Sequence, residues 1–303
     1  MRYTPTLGLR DPGVHEVGRL MLPRMIGLAA VQLNFLVNTV LASGLAAGSL
    51  AALNYAWLLM LLPQGVFAQA VATAAFPTFS AQAARGEQAE MRATLAATLR
   101  AVLYLAVPAA VGLVVLRLPL VQLLFQRGAF TDASSHRVAL ALALYALGLP
   151  AHSAVEIVVR AFYAQHDTRT PVAVGVAAMV LNILLSLAFV ALFQGLGWLP
   201  LGGLALSNSL ATTVEMGVLL GLIRRRLGGL EGRRLARSLL RIGLATAVMG
   251  AAIWMVATLL AGGSAWLSGG LAVAAGVVVY GGSSLLLGAP EPRAVWGLVR
   301  PGR

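Results

Sequence analysis

The sequence has no cysteine and no lysine, and charged residues make up 11% of it, where about a quarter is usual in soluble domains. Without cysteine there are no disulfides, no thiolate metal sites and no cysteine nucleophile. No Gly-rich phosphate loop, metal-ligand quartet or nucleophile elbow is found either, so the residues give no support to an enzyme and imply no cofactor and no bound metal. The formal charge of +12 comes from twenty-two arginines. In a soluble protein that excess would favour nucleic acid, but here the positions of the arginines decide against it. The absence with most consequence is local. Met25 to Ala84 contains no Asp, Glu, Lys, Arg or His.

What fills that stretch is apolar residue after apolar residue, long enough for two helical crossings of a hydrocarbon layer roughly 30 Å thick. The whole chain, 59% hydrophobic with a mean hydropathy of +0.85, reads as an all-α integral membrane protein. Apolar runs divided by charge and by Gly/Pro punctuation predict eight spans, near 22–46, 50–78, 93–116, 135–160, 171–194, 200–223, 239–260 and 265–288. Leu118 to Gln126 is too short to cross and reads as a re-entrant or interfacial piece. Met1 to Leu22 carries five charges and no apolar core, unlike a cleavable leader.

The loops test that count independently. Alternate loops and the two ends hold nineteen of the arginines, whereas the other side holds only Arg117, Arg127 and Arg137. By the positive-inside rule both termini are cytoplasmic and the number of spans is even. Composition also divides the chain. Ahead of Arg224-Arg225-Arg226 the spans carry carboxamides, prolines and two carboxylates, while Ile242 to Pro290 has no charge. The expected organisation is a cytoplasmic segment over 1–21, a six-helix lobe over 22–223 and a basic cytoplasmic linker over 224–238. A two-helix hairpin over 239–288 and a cytoplasmic tail over 289–303 complete it. The linker arginines orient the chain and meet anionic lipid headgroups.

Polar residues inside apolar spans need partners or water, so each marks either helix-to-helix contact or a cavity wall. Gln32, Asn34, Asn38, Asn54 and Gln64 are read in both ways, with Asn34 and Asn38 one turn apart and on one face. Pro63 and Gly65 interrupt the second crossing and form a candidate hinge. Glu215 is either a cavity-facing ion or proton site or an acid reaching Arg224. The nine-residue offset, roughly 13 Å along a helix, weighs against the second reading. His152, Glu156 and Arg160 recur every four residues, the spacing of a polar ladder between helices or along a hydrated path. A metal would lack a third ligand there. Arg24, behind Pro23 at the mouth of the first span, either receives a phosphate or anchors topology by reaching to the interface.

Three features of Gln32–Ser80 resemble the MurJ (MviN) lipid II flippases, within the multidrug/oligosaccharidyl-lipid/polysaccharide (MOP) exporter superfamily. They are Asn38-Thr39 with Leu41-Ala42-Ser43, then Gly48-Ser49, then Tyr55-Ala56 with Pro63 and Gly65. Leu124 to Thr131 (LFQRGAFT) and Phe162 to Pro171 (FYAQHDTRTP) agree in order and spacing, so the resemblance covers most of residues 20–226. It implies two six-helix lobes around a central cavity, followed by two helices forming a lipid-facing groove. This chain corresponds to the second lobe and those last two helices.

The implied activity is movement of undecaprenyl-diphosphate-linked peptidoglycan precursor from the inner to the outer leaflet of the bacterial plasma membrane, by alternating access. The implied partners are that lipid-linked precursor, membrane lipids and the first lobe of the same protein, with no nucleic acid. Two departures stand out. The first lobe has no counterpart in this sequence, pointing to a truncated gene model or a fragment of a longer protein. Leu58 and Leu61 stand where many relatives carry a cavity Arg and an acid. Two rivals remain: another exporter of the superfamily, either a drug/cation antiporter relying on Glu215 or a polysaccharide (O-antigen) flippase, and a membrane enzyme acting on a lipid-linked sugar.

Overall fold

The computed structural model describes residues 32–260 and 265–288, together with the single positions 25 and 29. Arg24, the segment 1–21, the tail 289–303 and most of 22–31 lie outside the described residues. Among the described residues every regular element is helical. They are α1 (residues 32–43), α2 (Ser49–Pro63), α3 (Ala70–Ala84), α4 (Gln88–Val115), α5 (Arg117–Phe125), α6 (Asp132–Ala146), α7 (Leu149–Ala164), α8 (Arg169–Gly195), α9 (Leu201–Arg226), α10 (Gly232–Leu259) and α11 (Ala265–Leu286). A π-helical segment, Gln64–Gln69, joins α2 to α3.

Six helices are long and apolar enough to cross a membrane, or seven if the bent pair α6–α7 counts as one span. Of the predicted first span, 22–46, only the part from residue 32 onward is continuously described. Large apolar side chains such as Leu62, Val66, Leu184, Val277 and Val278 stand on the outside, the arrangement of a multi-pass protein solvated by lipid.

Two predicted features differ in detail. The stretch at Pro63 is not a break: α2, the π segment and α3 form one span from Ser49 to Ala84. Pro63 cannot donate the i→i−4 hydrogen bond, and the chain accommodates this by widening to i→i+5 pairing over the next turn. The span predicted at 135–160 does bend, by 44° between Ala146 and Leu149. At the bend Gly148 N donates to Tyr145 O at 2.9 Å, one residue short of the helical partner, and Leu144 O accepts instead from α9: Ser209 Oγ donates to it at 2.6 Å and lies 3.2 Å from Tyr145 O. Gly148 makes the approach possible, since a Cβ there would lie 2.9 Å from the Ser209 Cα.

The α8–α9 hairpin packs just as closely. A Cβ at Gly203 would lie 2.8 Å from the Phe189 carbonyl carbon, so only glycine lets these two backbones meet. α10 and α11 pack on each other, with Gly276 against Ile253, and α10 packs on α4, with Gly250 facing Val111. The predicted short piece at Leu118–Gln126 is the nine-residue α5.

The loops sort to two ends of the bundle. At one end Arg92 Nη1 donates to Gly228 O, Arg226 Nη2 pairs with Asp167 at 2.7 Å, and Arg100 lies 3.7 Å from Glu231. At the other, Arg137 Nη1 donates to Ala47 O at 2.5 Å and braces the α1–α2 turn. The basic linker expected over 224–238 is helical at both margins, so only residues 227–231 connect α9 to α10. Arginine has good helix propensity, and three of them in the last turn of α9 complement the negative end of its dipole.

Asp167 caps α8 by accepting from Thr170 N at 3.0 Å and from Thr170 Oγ1 at 2.7 Å. Partial burial pushes its carboxyl upward, but the hydrogen bonds from Thr170 and Arg226 outweigh that. The carboxyl is held below its ordinary range.

Candidate functional site

The arrangement that could handle a polar solute is a cavity of about 560 Å³ between α1, α2, α6, α7, α8 and α9. Its walls carry Asn34 and Asn38 from α1, Asn54 and Trp57 from α2, Tyr145 from α6, His152 and Glu156 from α7, Asn182 from α8, and Asn208, Thr212 and Glu215 from α9. Helical spacing explains why these groups converge. Asn34 and Asn38, His152 and Glu156, and Asn208, Thr212 and Glu215 each repeat at three or four residues, placing each set on one face.

One wall is a closed hydrogen-bond network. Asn182 Oδ1 accepts from Asn34 Nδ2 at 3.2 Å and from Asn38 Nδ2 at 3.0 Å, while Asn38 Nδ2 also reaches Asn34 Oδ1 at 2.7 Å. Behind them Ser186 and Ser207 lie 2.7 Å apart, and Asn182 Nδ2 donates to Ser207 Oγ at 3.4 Å. Asn182, Ser186 and Ser207 are buried. The network therefore ties α1 to α8 and α9 while presenting amides to the cavity. The two readings open for Asn34 and Asn38, contact between helices and cavity lining, both hold.

The facing wall is built on α7 and α9. His152 Nε2 lies 3.1 Å from Asn208 Oδ1 and 3.3 Å from Thr212 Oγ1, and Trp57 stacks edge-on against both His152 and Tyr145. One turn along, Arg160 Nη1 donates to Glu156 Oε2 at 2.5 Å, and its Nη2 donates to Gln69 Oε1 at 2.8 Å. The predicted ladder thus couples α7 to α9 at its start and to the π segment at its end. Glu215 makes no hydrogen bond or ion pair with the described residues, and Arg224 is not its partner. Its Oε1 lies 3.5 Å from where a Cβ on Gly175 would sit, which leaves the carboxylate open to the cavity.

Of the residues singled out from the sequence, Asn34, Asn38, Asn54 and Glu215 line the cavity. Gln32 does not, being exposed on α1. Gln64, the first residue of the π segment, is buried and does not line the cavity, and its Oε1 has no partner among the described residues. Arg24 lies outside the described residues. Pro63 ends α2 and Gly65 lies inside the π segment. Trp57, Tyr145, Asn182 and Asn208 were missed as wall residues. The signal was the four-residue spacing Asn182–Ser186 and Asn208–Thr212 within otherwise apolar spans. Among the described residues no group of three His, Asp or Glu side chains gathers for a metal ion.

The profile of the family described as "Lipid II flippase MurJ" matches residues 1–271. The chain is 33% identical over 295 residues to a probable lipid II flippase MurJ of Vibrio cholerae, covering 94% of this chain and 54% of that protein. It is similar to the solved structure of lipid II flippase MurJ in an inward closed conformation, with a TM-score of 0.76, 25% identity, and coverage of 99% of this chain and 57% of the other. A MOP superfamily transporter from Pyrococcus furiosus shares the fold at a TM-score of 0.52 and 19% identity, over 98% of this chain and 70% of that one. The chain spans about half the length of the curated relatives it matches.

Proposed function

The chain belongs to the lipid II flippase MurJ family, and from that premise we propose that it forms the second lobe of a flippase. The flippase would carry undecaprenyl-diphosphate-linked peptidoglycan precursor from the inner to the outer leaflet. The single observation that carries this reading is the cavity of about 560 Å³, walled by carboxamides and two carboxylates inside a bundle whose exterior is apolar. A polar headgroup needs such an interior to cross hydrocarbon, because its desolvation must be offset by amides and hydroxyls held in place.

In this reading α1, α2 and α9 line the path for the headgroup, and the carboxamides replace its hydration. The hairpin α10–α11 offers an apolar surface to the polyprenyl chain. The first described helix, α1, completes an eighth span, both termini lie in the cytoplasm, and the protein sits in the bacterial plasma membrane. A first six-helix lobe faces this one across the cavity. Alternating access comes from rocking about the widened turn after Pro63, where Arg160 and Gln69 link the hinge to α7. As a transporter the protein relocates its substrate without making or breaking its covalent bonds.

The test is a chimera in which this chain replaces the matching half of the Vibrio cholerae relative. Such a chimera should restore growth to cells depleted of their own flippase. It should also deliver fluorescent lipid-linked precursor to the outer leaflet of proteoliposomes. Folded, membrane-inserted chimera that moves none would remove the reading. Chemical conversion of the precursor in place of relocation would favour a membrane enzyme.

A further inference from the structure

The charged side chains among the described lining residues of the cavity are of one sign. Among the described residues that line it there is no arginine, and its two ionisable acids are Glu156 and Glu215. Glu156 is neutralised by Arg160, whose Nη1 lies 2.5 Å from its Oε2. Glu215 has no such partner among the described residues. On the described walls a diphosphate would meet an uncompensated carboxylate and no guanidinium, which is unfavourable in a partly desolvated site. A cation would meet the reverse. Thr212 lies one turn and Asn208 two turns along α9 from Glu215, and Trp57 and Tyr145 contribute aromatic surface elsewhere on the same cavity wall. A carboxylate without a cationic partner suits an organic ammonium, which gains a charge-assisted ion pair there, while the rest of its carrier can lie against the aromatic surface of the same cavity.

We propose that Glu215 binds a primary ammonium group on the peptide portion of the transported headgroup. This lobe would therefore recognise the amine-bearing end of the substrate and leave the diphosphate to be held elsewhere. The assignment rests on the flippase reading for the identity of its ligand, but not for its chemistry. At about 560 Å³ the cavity accommodates a short peptide segment, and a rigid scaffold of hydrogen-bonded amides opposite Glu215 limits how that segment can sit.

The test titrates the full chain in lipid nanodiscs by calorimetry with two matched pairs of probes. One pair is lipid-linked precursor carrying a free side-chain amine and the same lipid after acetylation of that amine. The other is a short soluble peptide carrying a single lysine ammonium and its acetylated form. Acetylation is expected to weaken binding of both probes about tenfold, the loss of one charge-assisted contact. In Glu215→Gln, an isosteric change, the free and acetylated probes should bind alike, whereas Glu215→Asp should retain part of the preference. Equal affinity of the unaltered chain for amine and acetylated amine overturns the proposal, as does no binding of any probe. Discrimination by the soluble peptides without binding of either lipid-linked probe keeps the amine site and removes the flippase reading. Binding of the lipid-linked pair without discrimination does the opposite.

Discussion

The lobe α1–α9 and the hairpin α10–α11 use the same apolar vocabulary but dispose of their polar groups differently. In the lobe, carboxamides and hydroxyls from α1, α8 and α9 bond to one another around an open space. In the hairpin, polar contact is a staple: Tyr280 Oη donates to Tyr104 O at 2.6 Å, and Tyr104 Oη and Ser284 Oγ lie 2.9 Å apart, fastening α11 to α4 with both tyrosines buried. A satisfied polar group beside a void can exchange its partner for a solute. One sealed in a helix seam can only hold the seam. Polar content alone therefore does not distinguish a transport path from a clamp, whereas adjacency to solvent does.

The sharpest way to break that contrast is Asn182→Leu. It deprives the Asn34 and Asn38 donors of their shared acceptor at the cavity wall and should cost about 1–3 kcal/mol of stability. Translocation by the chimera should fall at least about tenfold, a factor worth 1.4 kcal/mol, measured as outer-leaflet appearance of fluorescent precursor. Retained transport at unchanged rate would mean the network is only glue. Next comes Gly203→Ala, which places a methyl against the Phe189 backbone. Overpacking there should destabilise by about 1–3 kcal/mol, seen as a lower melting temperature in detergent, and transport should decline only in step with the folded fraction.

Tyr280→Phe removes one donor from the hairpin staple and should cost about 1 kcal/mol, with headgroup transport unaltered. Abolished transport in that variant would move the hairpin from clamp to path. The smallest effect is expected at the loop capping α8. Because the folded Asp167 carboxyl is held below its ordinary value, its contribution to stability is present above the unfolded value of about 3.9. It is lost as pH falls through the lower folded value. The Arg226 side chain is 41% exposed, so solvent screening leaves the pair worth under about 1 kcal/mol. Melting curves of the unaltered chain and of Asp167→Asn should therefore differ slightly at neutral pH and converge in acid. Divergence on acidification would contradict the assigned sign.

Several of these features were legible from residues alone. The alternation of arginine-rich and arginine-poor loops reflects the cost of carrying a charged side chain across hydrocarbon, and it anticipated the sorting of loops to two ends. Asn34, Asn38 and Glu215 could be chosen because an amide or acid in an apolar run is conspicuous. Gln32 and Gln64 were equally conspicuous and do not line the cavity: one faces outward, and the other is buried at the start of the π segment, and neither outcome can be read from spacing without knowing where the neighbouring helices pack. Asn182 and Asn208 carried the same signal but sat singly, and their importance arises only where α8 and α9 cross α1 and α7.

The sequence by itself determined that this is a multi-pass helical membrane protein and which few polar residues in its apolar stretches must find partners. Those properties depend on transfer of side chains and peptide groups into hydrocarbon, a local quantity summed along the chain. Tertiary structure alone decided that Asn34, Asn38 and Asn182 meet, that Arg160 neutralises Glu156 while Glu215 has no ionic partner among the described residues, and that a cavity lies between them. Those depend on how closely helices approach, fixed by Gly148 against Ser209 and Gly203 against Phe189. No one-dimensional pattern encodes such contacts between distant turns.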